Sequence, residues 1–186
     1  MENIFKQSAK HSEFTWASLG NIKEGRGDLS EEMPVLVYRL MQFTMLDVLS
    51  KEFGNEQANE YMRAAGHLAG TEFAKNLLDL SVDFNTFIAN LQKTLQEHKI
   101  GIMRMEHFTP ETGEIVLTVG QDLDCSGIPV SDEMVCNYDE GFIAGIFELY
   151  TGKTYHVREV DCWANGDRVC RFKGTTLDIP KVIDLE

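Results

Sequence analysis

The sequence has few basic residues. Lysine and arginine together number 17, against 30 aspartates and glutamates, so the formal net charge is −13. A chain of this charge repels the phosphate backbone of nucleic acids, and no basic stripe along it offsets the repulsion. We therefore expect no direct binding to DNA or RNA.

Long apolar runs are also missing. No stretch approaches the roughly 18 consecutive apolar residues of a membrane-spanning helix, and residues 1–8 lack the apolar segment of a signal peptide. We expect a cytoplasmic protein with no membrane partner. In a reducing compartment its four cysteines are expected to be thiols or metal ligands rather than disulfides.

Several enzyme motifs are absent as well. The sequence has no glycine-rich phosphate loop, no nucleophile elbow and no dinucleotide-binding fingerprint. Its cysteines form no Cys-x-x-Cys pair. Chemistry that depends on a nicotinamide or flavin cofactor is therefore not indicated.

Hydrophobic periodicity predicts helices first and antiparallel strands after them. Asp83 is placed to cap a helix, and Gly66, Gly70, Gly141 and Gly145 indicate close helix packing. This order predicts a single α+β domain, a helical layer packed on an antiparallel sheet. The predicted helices cover residues 34–54, 56–78, 84–95 and 132–150, and the predicted strands cover residues 100–108, 114–122, 154–162 and 168–172.

A cluster of possible metal ligands lies near the end of the chain. Cys136, Cys162 and Cys170 fall within its last 51 residues, together with Glu159. Three thiolates and a carboxylate make a suitable tetrahedral zinc set. If residues 165–167 form a three-residue hairpin loop, Cys162 opposes Cys170 and both sulfurs lie on one face.

Glu159 does not fit a regular strand. It lies three residues before Cys162, so it faces the other side unless the strand bulges or ends between them. Asp161 has the same problem, whereas His156 shares the face of Cys162. Buried free cysteines, a Cys162–Cys170 disulfide and a solvated Glu159 all remain alternatives to zinc on spacing alone.

The order of these features resembles the 4-vinyl reductase domain family, in particular the sensory domains of aromatic-responsive transcriptional activators. The resemblance extends over most of residues 33–174 and is carried by Cys136, Gly141, Gly145, Gly152, Glu159, Cys162, Gly166, Asp167, Cys170, Arg171 and Phe172.

The resemblance implies a structural zinc held by Cys136, Glu159, Cys162 and Cys170, with Cys125 left as a free thiol. It also implies a fold shared with haem-nitric-oxide sensors and vesicle-tethering subunits, and a homodimer. We accordingly divide the chain into an N-terminal extension (1–30), a ligand-binding domain (31–175) and a C-terminal tail (176–186).

Five residues are candidates for an apolar ligand pocket. Three of them alternate along the first strand and share one face, and the other two belong to the second hairpin. The methionines and the tyrosine could instead be ordinary core residues. The alternative for the histidine is a surface position, and the alternative for the tryptophan is that it shields the metal. The candidates are Met103, Met105, His107, Tyr155 and Trp163.

These features predict a small-molecule sensor domain with structural zinc, whose ligand is hydrophobic: an aromatic compound or a tetrapyrrole. We expect no ATPase or DNA-binding domain after residue 186, and we therefore expect its signal to pass through a partner. The alternatives are a vinyl-reductase-like enzyme of tetrapyrrole metabolism and a ligand-free interaction module. We expect no catalysis, because a zinc with four protein ligands leaves no open position for a substrate.

Overall fold

The computed structural model describes residues 13–131 and 133–177, and the chain divides into two compact units after Glu32. In the first unit, a short 3-10 helix (Trp16–Leu19) is followed by the four-residue helix α1 (Ile22–Gly25). Asn21 begins α1 by accepting a hydrogen bond from the backbone N–H of Glu24. None of the residues described in this unit is buried.

The second unit is an α+β fold with a four-stranded antiparallel sheet, as predicted. The strand order is β1-β2-β4-β3. Since β2 and β4 lie in the centre, the two hairpins meet along them. The elements are α2 (Val35–Phe53), α3 (Asn55–Leu77), α4 (Phe84–Glu97), β1 (Ile102–Thr109), β2 (Glu114–Gly120), α5 (Asn137–Thr151), β3 (Tyr155–Asp161) and β4 (Cys170–Thr176).

The local signals for these helices are confirmed. Asp83 caps α4 by accepting from the backbone N–H groups of Asn85 and Thr86. The apolar residues of α4 are buried at helical spacing, which turns one face of the helix to the core. Gly54, with φ 83°, separates α2 from α3.

Glycines bring α3 and α5 into backbone contact. A Cβ atom on Gly66 would lie 2.0 Å from the Tyr138 carbonyl oxygen, and one on Gly141 would lie 1.9 Å from the Arg63 carbonyl oxygen. Gly70 and Gly145 make equally close approaches one turn further along each helix. The close packing that these glycines predicted is confirmed, and it fixes α5 against α3.

The helix α5 begins later than predicted. Cys136 is its N-cap residue, with φ −84° and ψ 44°, and the first helical residue is Asn137. The prediction that Cys136 lies within the helix is therefore wrong. Asp132, where the predicted helix began, lies outside the described residues, as does the predicted tail from residue 178 onward. Among the described residues, no helix combines the length and the hydropathy that crossing a bilayer requires.

Candidate metal centre

Four cysteine thiols meet between the N-terminus of α5 and the second hairpin. The sulfur atoms of Cys125, Cys136, Cys162 and Cys170 all lie within 4.8 Å of one another. Each of these residues is at most 1% exposed, and none forms a disulfide. The chain therefore brings four thiols from separate segments into one buried cluster.

The spacing of the sulfurs matches a tetrahedral metal site. Zn–S bonds of about 2.3 Å in a tetrahedron place the sulfurs about 3.8 Å apart. The Cys136 sulfur lies 3.9 Å from that of Cys162 and 3.8 Å from that of Cys170. Cys125 is closer to Cys170, with 3.1 Å between the sulfurs. Two of the sulfur–sulfur distances thus fit zinc ligation, whereas the distance from Cys125 to Cys170 is shorter than that spacing.

Cys125 is the cluster member that sequence reasoning set aside. It lies in the loop after β2, and a tight turn directs it inward: the Asp122 carboxylate accepts the backbone N–H groups of Asp124 and Cys125. The aspartate-turn pattern at residues 122–125 is a signal that could have indicated the turn. The pairing of β2 with β4 then brings this loop next to Cys170, which no local pattern shows.

A β-bulge changes the direction in which the Glu159 side chain points relative to Cys162. The β3–β4 pairing shifts register between Glu159 and Asp161, which is the irregularity that the side chain needs to share a face with Cys162. One carboxylate oxygen of Glu159 accepts the backbone N–H of Cys136 at 3.2 Å. The other oxygen is buried, and no described group donates a hydrogen bond to it. Glu159 therefore lies beside Cys136, but no set of described ligand atoms within 4.8 Å of one another includes its carboxylate.

Burial raises the pKa of Glu159 to about 8, and the nearby Cys162 thiol adds to the increase. Hydrogen bonds with Cys125, then with Cys136 and Cys170, lower the pKa of the Cys162 thiol, whereas the bonds with Cys125 and Cys162 raise that of Cys136. The close packing of the four thiols thus allows neighbouring thiols to stabilise a thiolate within the cluster. Thiolates are the ligands that zinc requires.

Glu140 holds Glu159 in place from the other side. Its buried carboxylate accepts the backbone N–H of Glu159 at 2.8 Å. Arg63 donates to the same carboxylate at 2.5 Å, and Arg158 donates at 3.2 Å. Because Arg63 belongs to α3 and Glu140 to α5, this network ties the helix pair to the bulged strand. Sequence reasoning did not single out Glu140.

The loop between Cys162 and Cys170 differs from the predicted three-residue hairpin. A 3-10 helix covers Trp163–Asn165, and the Cys162 carbonyl accepts the backbone N–H groups of Asn165 and Asp167. The described strand pairs end at Asp161 and Arg171. The two thiols approach each other nonetheless, because both lie directly at the ends of paired strands.

The candidate pocket residues do not lie together. A cavity of 20 Å³ is lined mainly by residues of α4, β1, β2 and α5, and Met103 is the one candidate among them. Met105 packs at the edge of the core. A register shift between Met105 and His107 turns His107 outward, where its ring bonds to the Thr109 hydroxyl. The prediction that Met103, Met105 and His107 share a face is therefore wrong.

The two candidates from the second hairpin also lie away from this cavity. Tyr155 is buried and its ring centre lies 6.0 Å from that of Phe147. The Trp163 indole donates to the Ile128 carbonyl at 3.2 Å and lines a surface groove with Arg39. Tyr155 is thus a core residue in this structure, and Trp163 covers the loop beside Cys162.

Three buried aspartates adjoin the thiols. Asp122, Asp124 and Asp139 are 3–9% exposed. Burial raises the pKa of each carboxyl, and that of Asp124 reaches about 6. Asp122 and Asp139 have oxygens within 4.8 Å of each other and of the Cys136 sulfur. Both also line the apolar cavity, so the aspartates lie between the thiol cluster and that cavity.

Comparison with known proteins agrees with this geometry. The family model of the 4-vinyl reductase domain matches residues 115–176, which include the four cysteines and Glu159. The match spans about a third of the chain. The resemblance to this domain family is therefore confirmed. The matched segment runs from β2 to β4, so it contains the whole thiol cluster and the bulge beside it.

Proteins similar to this chain occur in Methanocaldococcus jannaschii. An uncharacterized protein of that organism is 28% identical over 156 residues, which cover 83% of this chain and 84% of the relative. A second uncharacterized protein is 24% identical over 103 residues, 55% of this chain and 58% of that relative. The names of these two relatives state no activity.

Solved structures show the same fold at low identity. The phenol-responsive sensory domain of the transcription activator PoxR, solved with phenol, gives a TM-score of 0.61 at 14% identity, over 77% of this chain and 75% of that chain. A vinyl-4-reductase family protein from Methanocaldococcus jannaschii gives 0.56 at 16% identity, over 81% and 85%. A trafficking protein particle complex subunit 3 from Naegleria fowleri, covalently bound to palmitic acid, gives 0.58 at 10% identity, over 78% and 98%.

Proposed function

We propose that this 4-vinyl reductase domain protein is a sensor domain that binds a small apolar molecule and is stabilised by a zinc ion. The thiol cluster carries the proposal, because two of its sulfur–sulfur distances, 3.9 and 3.8 Å, fit a tetrahedral zinc site. The likeness to the PoxR sensory domain supports the sensor part through the fold. When bound, zinc supplies a structural link between segments rather than a catalytic centre.

Zinc at this position would clamp three parts of the fold. Cys136 precedes α5, Cys162 follows β3 and Cys170 begins β4. One ion bound to all three fastens the second hairpin to the start of α5. Since four protein ligands leave no open coordination position, the proposal assigns the zinc no substrate.

The fourth ligand has two candidates. The family resemblance assigns Glu159, whose free buried oxygen supports that role. The closeness of the four sulfurs supports Cys125 instead. Cobalt substitution of Cys125→Ala and Glu159→Gln separates them, because loss of a thiolate ligand weakens the sulfur-to-metal charge-transfer absorption and loss of a carboxylate ligand does not. If Cys125→Ala weakens the charge-transfer absorption, Cys125 is the fourth ligand. If Glu159→Gln changes the cobalt coordination spectrum and keeps that absorption, Glu159 is the fourth ligand.

The cavity is the proposed ligand site. It is lined mainly by leucine, isoleucine and phenylalanine side chains, together with Met103. Its 20 Å³ hold about one water molecule. A small aromatic compound would enter by displacing flexible side chains such as Met103, whereas a tetrapyrrole is many times larger than this space. We therefore retain small apolar compounds as the ligand class and set tetrapyrroles aside.

The helix α2 supports a homodimer. Its exposed face carries apolar residues at helical spacing, including Val37, Met41, Met45 and Val48, each 50–57% exposed. An apolar stripe of this length on a surface helix is typical of an interface. Light scattering on the purified protein is expected to give twice the 21.1 kDa chain mass, and Met41→Glu is expected to reduce it to one chain mass. A single chain mass for the unmodified protein would contradict the dimer.

A ligand-free interaction module is the second candidate function. The small volume of the cavity favours it, because the described side chains already fill most of that space. The exposed face of α2 would then be the functional surface. This candidate predicts that no small apolar compound raises the melting temperature, whereas a sensor is stabilised by its ligand.

Native mass spectrometry of freshly purified protein tests the proposal. The expected result is a mass increase of one zinc ion per chain, together with any retained small molecule. The control is the same protein after chelation, which is expected to lose the zinc mass. Protein that lacks metal, and that binds none when zinc is supplied, would contradict the zinc site.

A further inference from the structure

Asp139 is a buried acid with an unused oxygen at the wall of the cavity. It is 9% exposed, lies in the first turn of α5 and lines the cavity. No described group donates a hydrogen bond to its Oδ2 atom. A buried carboxylate oxygen without a partner costs free energy that a bound donor would recover. A ligand that donates at this position would therefore stabilise the protein.

Asp122 lies beside Asp139: burial, and then the charge of Asp122, raise the pKa of the Asp139 carboxyl. One of its oxygens accepts the backbone N–H groups of Asp124 and Cys125. Among residues 13–131 and 133–177, no ion pair joins a lysine, arginine or histidine to Asp122 or Asp139. Arg39 is nearby, but it donates to the carbonyls of Leu123 and Ser126. The described chain therefore supplies no cation to these two carboxyl groups.

The rest of the cavity wall is apolar. Side chains from α4, the first hairpin and α5 form it, and Asp122 and Asp139 are its two acidic members. An apolar wall with one acidic end is complementary to a molecule that has an apolar body and one positively charged, hydrogen-bond-donating group. Leu91, Met103 and Phe147 are among its apolar members.

We propose that the ligand of this cavity is a small apolar amine, whose ammonium group binds Asp139 and Asp122. This inference rests on the proposed small-molecule function and names the chemical class of the ligand. An ammonium group donates up to three hydrogen bonds, and its positive charge favours the ionised form of the two carboxyl groups. A neutral hydroxyl group supplies a donor but no charge, and a carboxylate is repelled.

A matched ligand series tests the proposal on the full chain. Benzylamine, benzyl alcohol and benzoate share one ring and differ in the charge of one substituent. We expect calorimetry at neutral pH to give benzylamine a dissociation constant roughly tenfold below that of benzyl alcohol, with no detectable binding of benzoate. The melting temperature is expected to rise in the same order.

The variant Asp139→Asn locates the effect. It keeps the side-chain shape but removes the charge, so the roughly tenfold preference for benzylamine is expected to disappear while the affinity for benzyl alcohol stays within about twofold. Asp47→Asn is the matched control, because Asp47 lies on the exposed surface of α2. This control is expected to keep the preference for the amine.

The outcomes separate this inference from the proposed function. Binding of benzyl alcohol as tight as that of benzylamine, or a preference for the amine that survives in Asp139→Asn, would overturn the inference and leave the small-molecule site standing. If no member of the series binds, and toluene does not bind either, both the inference and the small-molecule function are contradicted.

Discussion

The contact between α3 and α5 gives a sharp test of the fold, through Gly141→Ala. The added Cβ atom would lie 1.9 Å from the Arg63 carbonyl oxygen and 2.7 Å from the His67 backbone nitrogen. Both neighbours are backbone atoms of a helix, so no side chain can rotate away to make room. The two helices have to move apart, which also disturbs the bonds of Glu140 beside them.

Two opposing terms decide the magnitude. In a helix without contacts, alanine is more favourable than glycine by about 0.8–1.0 kcal/mol. Overpacking in a close-packed interior costs typically about 1–3 kcal/mol and sometimes more. The contact at 1.9 Å belongs to the severe end of that range, so we expect a net loss of about 2 kcal/mol or more. For a chain of this size the melting temperature falls by about 4–8 °C.

Thermal and urea unfolding, followed by circular dichroism, measure this effect. The control is Gly25→Ala, since Gly25 also lies in a helix and a Cβ atom there meets nothing within 4 Å. We expect the control to change the stability by less than about 0.5 kcal/mol. A Gly141→Ala protein at least as stable as the unmodified chain would refute the close backbone packing of α3 and α5.

The remaining predictions concern the thiol cluster and its support. Cys162→Ser is expected to abolish zinc binding, which metal analysis checks. The variant protein is expected to have the melting temperature of the chelated protein, which calorimetry measures. The ordinary pKa of a glutamate is 4.5, whereas the pKa of Glu159 in the folded chain is about 8. In the metal-free protein, Glu159 therefore stays protonated in the folded chain, but not in the unfolded chain, at pH values between these two. Its stability is therefore expected to fall as the pH rises through that range, and Glu159→Gln is expected to flatten the slope of stability against pH. Glu140→Gln leaves Arg63 facing an amide and is expected to cost about 1–3 kcal/mol in urea unfolding. Zinc affinity is expected to rise with pH because binding displaces thiol protons, and a competition assay that showed weaker binding at higher pH would contradict thiolate ligation.

Sequence patterns predicted the regular parts of the fold well. The helix α2, the cap at Asp83 and both hairpins follow from local periodicity and turn residues, which act over a few neighbouring positions. The paired glycines also predicted the contact between α3 and α5, because close packing explains glycine at those helix positions. The α+β class followed from the order of these elements.

Irregular backbone limited the prediction of the site. The bulges at Met105/His107 and Glu159/Asp161 each reverse the direction of the residues that follow, and no local pattern marks where a bulge occurs. Periodicity therefore predicts the wrong face for His107, and the role of Glu159 as a metal ligand stays a prediction from the family resemblance. Cys125 reaches the cluster through the pairing of β2 with β4, a contact between distant segments that periodicity does not show.

Anomalous diffraction at the zinc absorption edge tests the central claim most directly. Crystals of the protein purified without added metal are predicted to show one strong peak per chain, about 2.3 Å from the sulfur atoms of Cys136, Cys162 and Cys170. The distance from that peak to Cys125 and to Glu159 also identifies the fourth ligand. A map without a peak among these sulfurs, in crystals soaked with zinc as well, would contradict the proposed metal centre.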